Sequence, residues 1–185
     1  MKTCFLILLL MALITVAEPV NAQPHQPPPQ GAASEKTANR NAAREKLRTV
    51  LTSTGPKVNI DFRQSDKNPY NFVGLLKTGL SNTEFFEVVV GVSEDDTIGF
   101  RIYPHYRGGY INLDRASNGG ALARQLLRYS DTNFLFWGAD KTGDVFAGYT
   151  FTLESGFPDQ AIDVVLHSIK PLDQFVGELK PMIDG

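Results

Sequence analysis

The residues best suited to acid–base or metal chemistry are three histidines, His25, His105 and His167. None has a second His or a Cys at ligand spacing, and a zinc site needs three or four such ligands converging on one point. The pattern therefore predicts no metal centre. His105 is the one with polar and aromatic company: Tyr103, Tyr106, Arg107 and Tyr110 lie within five residues of it. That group could seat a small ligand, and it also reads as the exposed end of a strand. Ser117 and Ser155-Gly156 lack the strained strand–turn–helix pattern that activates a serine. No Gly-rich loop has the spacing that cradles phosphate, so no nucleotide cofactor is expected.

Carboxylates are plentiful, but Glu84, Glu87, Glu94, Asp95, Asp96 and Asp163 fall on turns or alternate outward along strands. Nothing pairs two of them for general acid/base work. Asp140-Lys141-Thr142-Gly143 matches the start of the P-type ATPase phosphorylation motif, whose next residue is Thr; here it is Asp144. A hairpin turn calls for the same residue types. Asp140 and Asp144 also fall short of a calcium loop, which needs more oxygens at fixed spacing and a terminal Glu. The chemistry-bearing residues thus predict a protein that is not an enzyme and carries no cofactor.

The N-terminus carries a different kind of signal. Lys2 precedes an uncharged, mostly apolar run over residues 4–16, and Val20-Asn21-Ala22 places small residues where a signal peptidase reads them. Residues 1–22 therefore read as a cleavable secretory signal peptide, and the expected destination is periplasmic or secreted. The apolar run is shorter than the ~20 residues of a membrane span. Cleavage would remove Cys4, the single cysteine, and leave a chain without disulfides or thiol chemistry. A net charge of −2 gives no electrostatic reason to expect nucleic acid as a partner.

Residues 23–38 are rich in Pro and Gln at their start and contain no large apolar residue, which predicts a disordered tether. The remaining residues, 39–185, form one domain. A helix is predicted over 39–53, with Ala43, Leu47, Val50 and Leu51 on one stripe and Gly55-Pro56 closing it. Strands follow at 71–80, 84–93 and 97–106, where Pro104 should end the third strand or place it at an edge. A second helix is predicted over 118–129, capped by Asn118. Residues 134–139 and 145–153 make a hairpin across the 140–144 turn. Phe157-Pro158-Asp159 opens a last helical region that Pro171 divides or kinks. The expected fold is α+β, an antiparallel sheet of about five strands with helices mainly on one face, in the order α-β-β-β-α-β-β-α.

Alternation along the strands separates two faces. Phe86, Val88, Val90, Val92, Ile98, Phe100 and Ile102 define a core face. The second face mixes Phe85, Val89, Tyr103 and Phe146 with polar residues, which is too apolar for a fully solvated face. Either the terminal helix covers it or a partner does. Phe85, Val89, Tyr103, His105, Tyr106 and Tyr110 are accordingly the predicted partner-binding residues.

The stretch 119–183 carries a recognisable succession. Residues 122–129 form a middle helix, and Asn133-Phe134 enters a strand. Asp140 to Asp144 make the turn, 145–153 return, and Phe157-Pro158-Asp159 enters the last helix. This order resembles the YbjN family, whose members are described as sensory transduction regulators with a type III secretion chaperone-like fold. The resemblance spans roughly residues 40–183, more loosely over the first helix and the 72–102 strands. It implies a non-enzymatic domain that dimerises and binds polypeptides, and it transfers no site residues. Members of that family are typically cytoplasmic, so the export signal sets this chain apart. The leading expectation is an exported interaction module, binding a polypeptide partner or a second copy of itself. The alternative is a small-ligand or enzymatic domain with its pocket near Tyr103, His105 and Tyr110.

Overall fold

A computed structural model describes residues 30–185, with side chains from 34 onward. The predicted signal segment and the first seven residues of the predicted tether lie outside the described residues.

Helix α1 spans Gln30–Thr54, so it begins well before the predicted position 39, and the later part of the predicted tether is helical. Residues 34–39 are exposed and contain no large apolar side chain, so the segment shows no apolar stripe. They are good helix formers, Ala, Glu and Lys among them, added to a helix already nucleated by packing. That packing comes from Ala43, Leu47 and Leu51, all buried. Gly55-Pro56 ends α1 as expected, in a short 3₁₀ turn over Gly55–Val58 that Asn59 closes in the left-handed conformation at φ 61°.

Among the described residues the sheet has seven antiparallel strands: β1 (Arg63–Gln64), β2 (Asn71–Leu76), β3 (Phe85–Val92), β4 (Thr97–Tyr106), β5 (Gly109–Tyr110), β6 (Phe136–Ala139) and β7 (Val145–Thr152). Their lateral order is β1-β2-β3-β4-β7-β6, with β5 paired to β4. The two strands beyond the expected five, β1 and β5, are two residues each and too short to show alternation. Helix α2 (Gly119–Thr132) starts under an Asn118 cap whose side chain accepts the Ala121 N–H at 3.0 Å. Pro171 divides the last helical region into α3 (Asp159–His167) and α4 (Leu172–Asp184).

The buried stripes of all four helices join one face of the sheet. Leu47, Leu122, Ile162, Val165, Val176 and Leu179 share a core with Phe86, Val88, Val90, Ile98, Phe100 and Ile102. Asp173 and Ser130 are among the side chains that hold the sheet against these helices. The Asp173 carboxylate on α4 accepts the N–H groups of Ser81 (2.7 Å), Asn82 (3.0 Å) and Thr83 (2.9 Å), pinning the loop that leads into β3. Ser130 on α2 closes the outer edge of β6: its Oγ accepts the Trp137 N–H at 2.7 Å and lies 3.0 Å from the Trp137 carbonyl. An edge strand whose outward groups are satisfied by its own helix is a poor template for another strand.

Candidate functional site: the outer face of the sheet

The outer face begins with strand parity. Phe85, Glu87, Val89 and Gly91 on β3 point away from the helices because Phe86, Val88, Val90 and Val92 point toward them. Register then assembles neighbours. Phe85 lies opposite His105, Glu87 opposite Tyr103, and Val89 opposite Arg101. On the other side of β3, Val73 lies opposite Val89 and Leu75 opposite Glu87. The short β5 brings Tyr110 opposite His105.

The result is a continuous aromatic cluster. The His105 ring stacks on Phe85 at 4.0 Å between centroids and meets Tyr110 at 4.2 Å. Tyr103 bridges Tyr110 (5.5 Å) and Phe146 (5.7 Å), and Phe136 meets Phe146 edge-on at 5.8 Å. The Arg101 guanidinium lies 4.7 Å from the Phe146 ring, a cation–π contact. The Tyr110 hydroxyl donates to Glu87 Oε2 at 3.0 Å, and His105 Nε2 stands 3.8 Å from that same oxygen, buried and without a hydrogen bond. Tyr103 OH reaches toward Asp140 Oδ2 at 3.4 Å.

Burial sets the protonation of these groups. It holds His105 below the usual imidazole value, against the opposing pull of Glu87, Glu84 and Asp144. Tyr110 is pushed up to about 12, first by burial and then by the Glu87 charge. Tyr103 is raised, chiefly by burial. These are rings held in their neutral forms near neutral pH, the forms in which they pack against one another.

Five of the six predicted binding residues, Phe85, Val89, Tyr103, His105 and Tyr110, share this face. Tyr106 does not. It has the parity of Ile102 and Pro104, so it points to the helical side, where its hydroxyl donates to Asp184 Oδ2 at 2.8 Å. Nearness in sequence grouped it with its neighbours, and strand alternation separates it from them. The β2 contribution of Val73 and Leu75 was missed, because only the β2–β3 register shows that they adjoin Val89 and Glu87. They floor a trough of about 820 Å³ that extends the cluster toward β1, rimmed by Asp61, Arg63 and Lys77. A second groove, about 460 Å³, lies on the helical side between Phe134, Val164 and Phe175. It had no sequence signal, since Phe134 and Val164 lie on separate elements.

His25 lies outside the described residues, and His167 sits 3.6 Å from Asp163 one helical turn away, on the exposed side of α3. Among the described residues, no group of three or more His, Cys, Asp or Glu is placed to hold a metal ion. The Asp140–Asp144 segment is a hairpin turn: Asp140 accepts the N–H groups of Thr142 (2.9 Å) and Asp144 (3.1 Å), with Gly143 at φ 80°. No helix among the described residues is long and apolar enough to cross a membrane.

No family model matches the chain, and no curated protein matches it. The YbjN resemblance therefore stands on residue pattern and element order alone. Among solved structures, the chain is similar to one described as "Crystal Structure of the ExsC-ExsE Complex". The identity is 12%, the match covers 74% of this chain and 94% of that one, and the TM-score is 0.44. An overlap of that quality carries no argument about function or partner. The α+β class, with its antiparallel sheet and one-sided helices, is plain from the element order and sheet pairing themselves.

Proposed function

We propose that this chain is an exported, non-enzymatic protein-interaction module that docks a second copy of itself on the outer face of its sheet. One observation carries the docking part: all four helices pack on the inner face, leaving Val73, Leu75, Phe85, Val89, Tyr103 and Tyr110 only half-buried on the other. Antiparallel sheets with a solvated face alternate cleanly between apolar and polar residues, and this one does not. Contiguous apolar surface of this kind marks interaction sites.

The charges on the face favour a second copy as the occupant. Arg63 and Arg101 share one row across the strands, through Val73 and Val89. Glu87 lies in the next row, opposite Tyr103, whose hydroxyl leads on to Asp140. Two such faces stacked about a two-fold axis set the basic row of each against the acidic row of the other. The YbjN resemblance implies the same behaviour, a domain that dimerises and binds polypeptides. Export rests on the 1–22 pattern in the sequence.

The test is light scattering on the chain starting at Gln23, over a range of concentrations. A dimer is expected, with Val89→Glu and Tyr103→Glu each weakening self-association at least tenfold without changing far-UV circular dichroism. A monomer at every concentration, unaltered by these changes, would refute the second copy as occupant. A foreign peptide captured by that monomer would reassign the face to a different partner. Mass spectrometry of the exported fraction should find an N-terminus at Gln23; an intact N-terminus on protein retained in the cytoplasm would remove the export part.

A further inference from the structure

Glu87, His105 and Tyr110 form a three-way contact in which one carboxylate oxygen has two suitors. Glu87 Oε2 accepts the Tyr110 hydroxyl at 3.0 Å, and His105 Nε2 waits 3.8 Å away with no other partner. The imidazole is 9% exposed and clamped between Phe85 and Tyr110. Once doubly protonated, both ring nitrogens are donors, and a buried N–H at Nε2 requires an acceptor. Glu87 Oε2 is the carboxylate oxygen within reach, and its pairing with an imidazolium is stronger than its bond to a neutral phenol.

The strand that carries Tyr110 is short. β5 makes two residue pairs with β4, His105–Tyr110 and Tyr106–Gly109. Around it, the Ile111 N–H to Pro104 carbonyl bond is 3.4 Å and Arg115 Nη2 lies 3.5 Å from the Tyr110 carbonyl, while Gly108 N–H to Glu84 is 2.9 Å and Val145 N–H to the Ile111 carbonyl is 2.8 Å. The part free to respond is therefore the Tyr110 side chain, between two anchored flanks.

We propose that these three residues are a proton-operated latch. Uptake of a solvent proton by His105 transfers Glu87 from the Tyr110 hydroxyl to the imidazolium and frees the Tyr110 side chain. No bond other than hydrogen bonds changes, and Tyr110 keeps its own proton. The charged and titratable groups around the ring are Glu84 and Glu87 on the β3 side, Tyr103 and Arg101 on β4, Tyr110 on β5 and Asp144 at the start of β7. Glu84 is engaged by the Gly108 N–H at 2.9 Å, and Asp144 by Asn112 at 2.8 Å, with Arg115 3.8 Å away. Arg101 lies over Phe146, and the Arg107 side chain is turned to Asp184 at 2.9 Å. Glu87 is thus the partner left for the imidazolium. The latch goes beyond the docking reading and needs no partner to be tested, so the two stand or fall separately.

The experiment is a proton-NMR titration of the chain starting at Gln23, following the imidazole Cε1–H signals and the Tyr110 ring signals from pH 7.5 to 4.5. His105→Gln assigns the His105 resonance, and Tyr110→Phe assigns the Tyr110 ring. In the wild-type protein the His105 midpoint is expected below 6.5, with Tyr110 shifting at the same midpoint. Glu87→Gln removes the opposing charge and should weaken His105 proton affinity by about tenfold or more, abolishing the Tyr110 response. Tyr110→Phe removes the competing donor and should strengthen that affinity. The latch is overturned if Tyr110 fails to follow the His105 midpoint in the wild-type protein, a readout that requires no folded variant. It is equally overturned if Glu87→Gln, folded by circular dichroism, leaves that midpoint where it was.

Discussion

Asp173 is the place where one side chain decides whether the outer face is held in register. Its carboxylate, 7% exposed on α4, gathers three successive backbone N–H groups from the loop between β2 and β3. Phe85, the first outer-face residue of β3, follows two residues later. Asp173→Ala removes all three bonds at once. Ser81 is exposed and Asn82 half-exposed, so water can replace two of them. Thr83 is 8% exposed, and its N–H would remain buried without a partner. A charge-assisted bond contributes about 1.5–3 kcal/mol, and two partly re-solvated bonds add a smaller amount. The expected loss is therefore about 2–4 kcal/mol, a large share of the ~5–15 kcal/mol total for a domain of this size. Asp173→Asn keeps one acceptor oxygen and should lose roughly half as much.

Urea denaturation measures this directly, with the midpoint falling at an unchanged slope. Amide hydrogen exchange adds a local reading: Thr83 and the first residues of β3 should lose protection before the rest of the sheet. A loss under ~1 kcal/mol for Asp173→Ala would refute the reasoning, because it would mean that the loop is held by its flanking strands and not by this carboxylate. Uniform loss of protection across the sheet would refute the claim that the effect is local.

Two other expectations follow from single contacts. Ser130→Ala leaves the outward N–H and carbonyl of Trp137 unpaired, at a cost of about 1–2 kcal/mol, and it opens the β6 edge; chemical denaturation should show the first effect, and concentration-dependent sheet aggregation by light scattering and infrared spectroscopy the second. His105 gives a pH dependence whose sign is fixed. Its folded-state value lies below the unfolded 6.5 because burial disfavours the imidazolium, so the unfolded chain takes up the proton first. Its contribution is fully present above pH 6.5 and is lost as pH falls toward the folded-state value; urea midpoints measured from pH 7.5 to 5 should show this decline, reduced in His105→Gln.

Much of the architecture was legible because it depends on local rules. Asn118, Gly55-Pro56, Pro171 and the 140–144 turn mark boundaries by short-range backbone chemistry, and each does so in the structure. The core face of β3 and β4 followed from alternation alone. The parts that were hidden depend on register or on distant partners. β1 and β5 owe their existence to pairing, not to intrinsic strand preference. Val73 and Leu75 belong to the outer face only through the β2–β3 register. Asp173 reaches a loop some 90 residues away in sequence, a contact that no periodicity encodes. Tyr106 shows the converse error, in which sequence proximity was allowed to outweigh the two-residue period that had already sorted its neighbours.

Pro104 connects the legible part to the hidden one. The β4–β7 ladder stops at the Ile102–Ala147 pair. Two residues later Pro104 points its carbonyl toward the β5 side, where Ile111 donates to it, so its missing N–H faces that side as well. β7 cannot continue its regular pairing past such a residue. The chain instead folds β4 back on itself, and the segment from Gly109 to Leu113 enters the gap like a wedge. Ile111 accepts the Val145 N–H at 2.8 Å, and Leu113 donates to the Gly143 carbonyl at 2.8 Å. That wedge sets Tyr110 beside His105 and within reach of Glu87. Contrary to what the sequence led one to expect, Pro104 neither ends β4 nor puts it at an edge: β4 runs on to Tyr106 between β3 and β5, and the proline marks instead where its second partner changes from β7 to β5, with the aromatic cluster on the outer face of that fork.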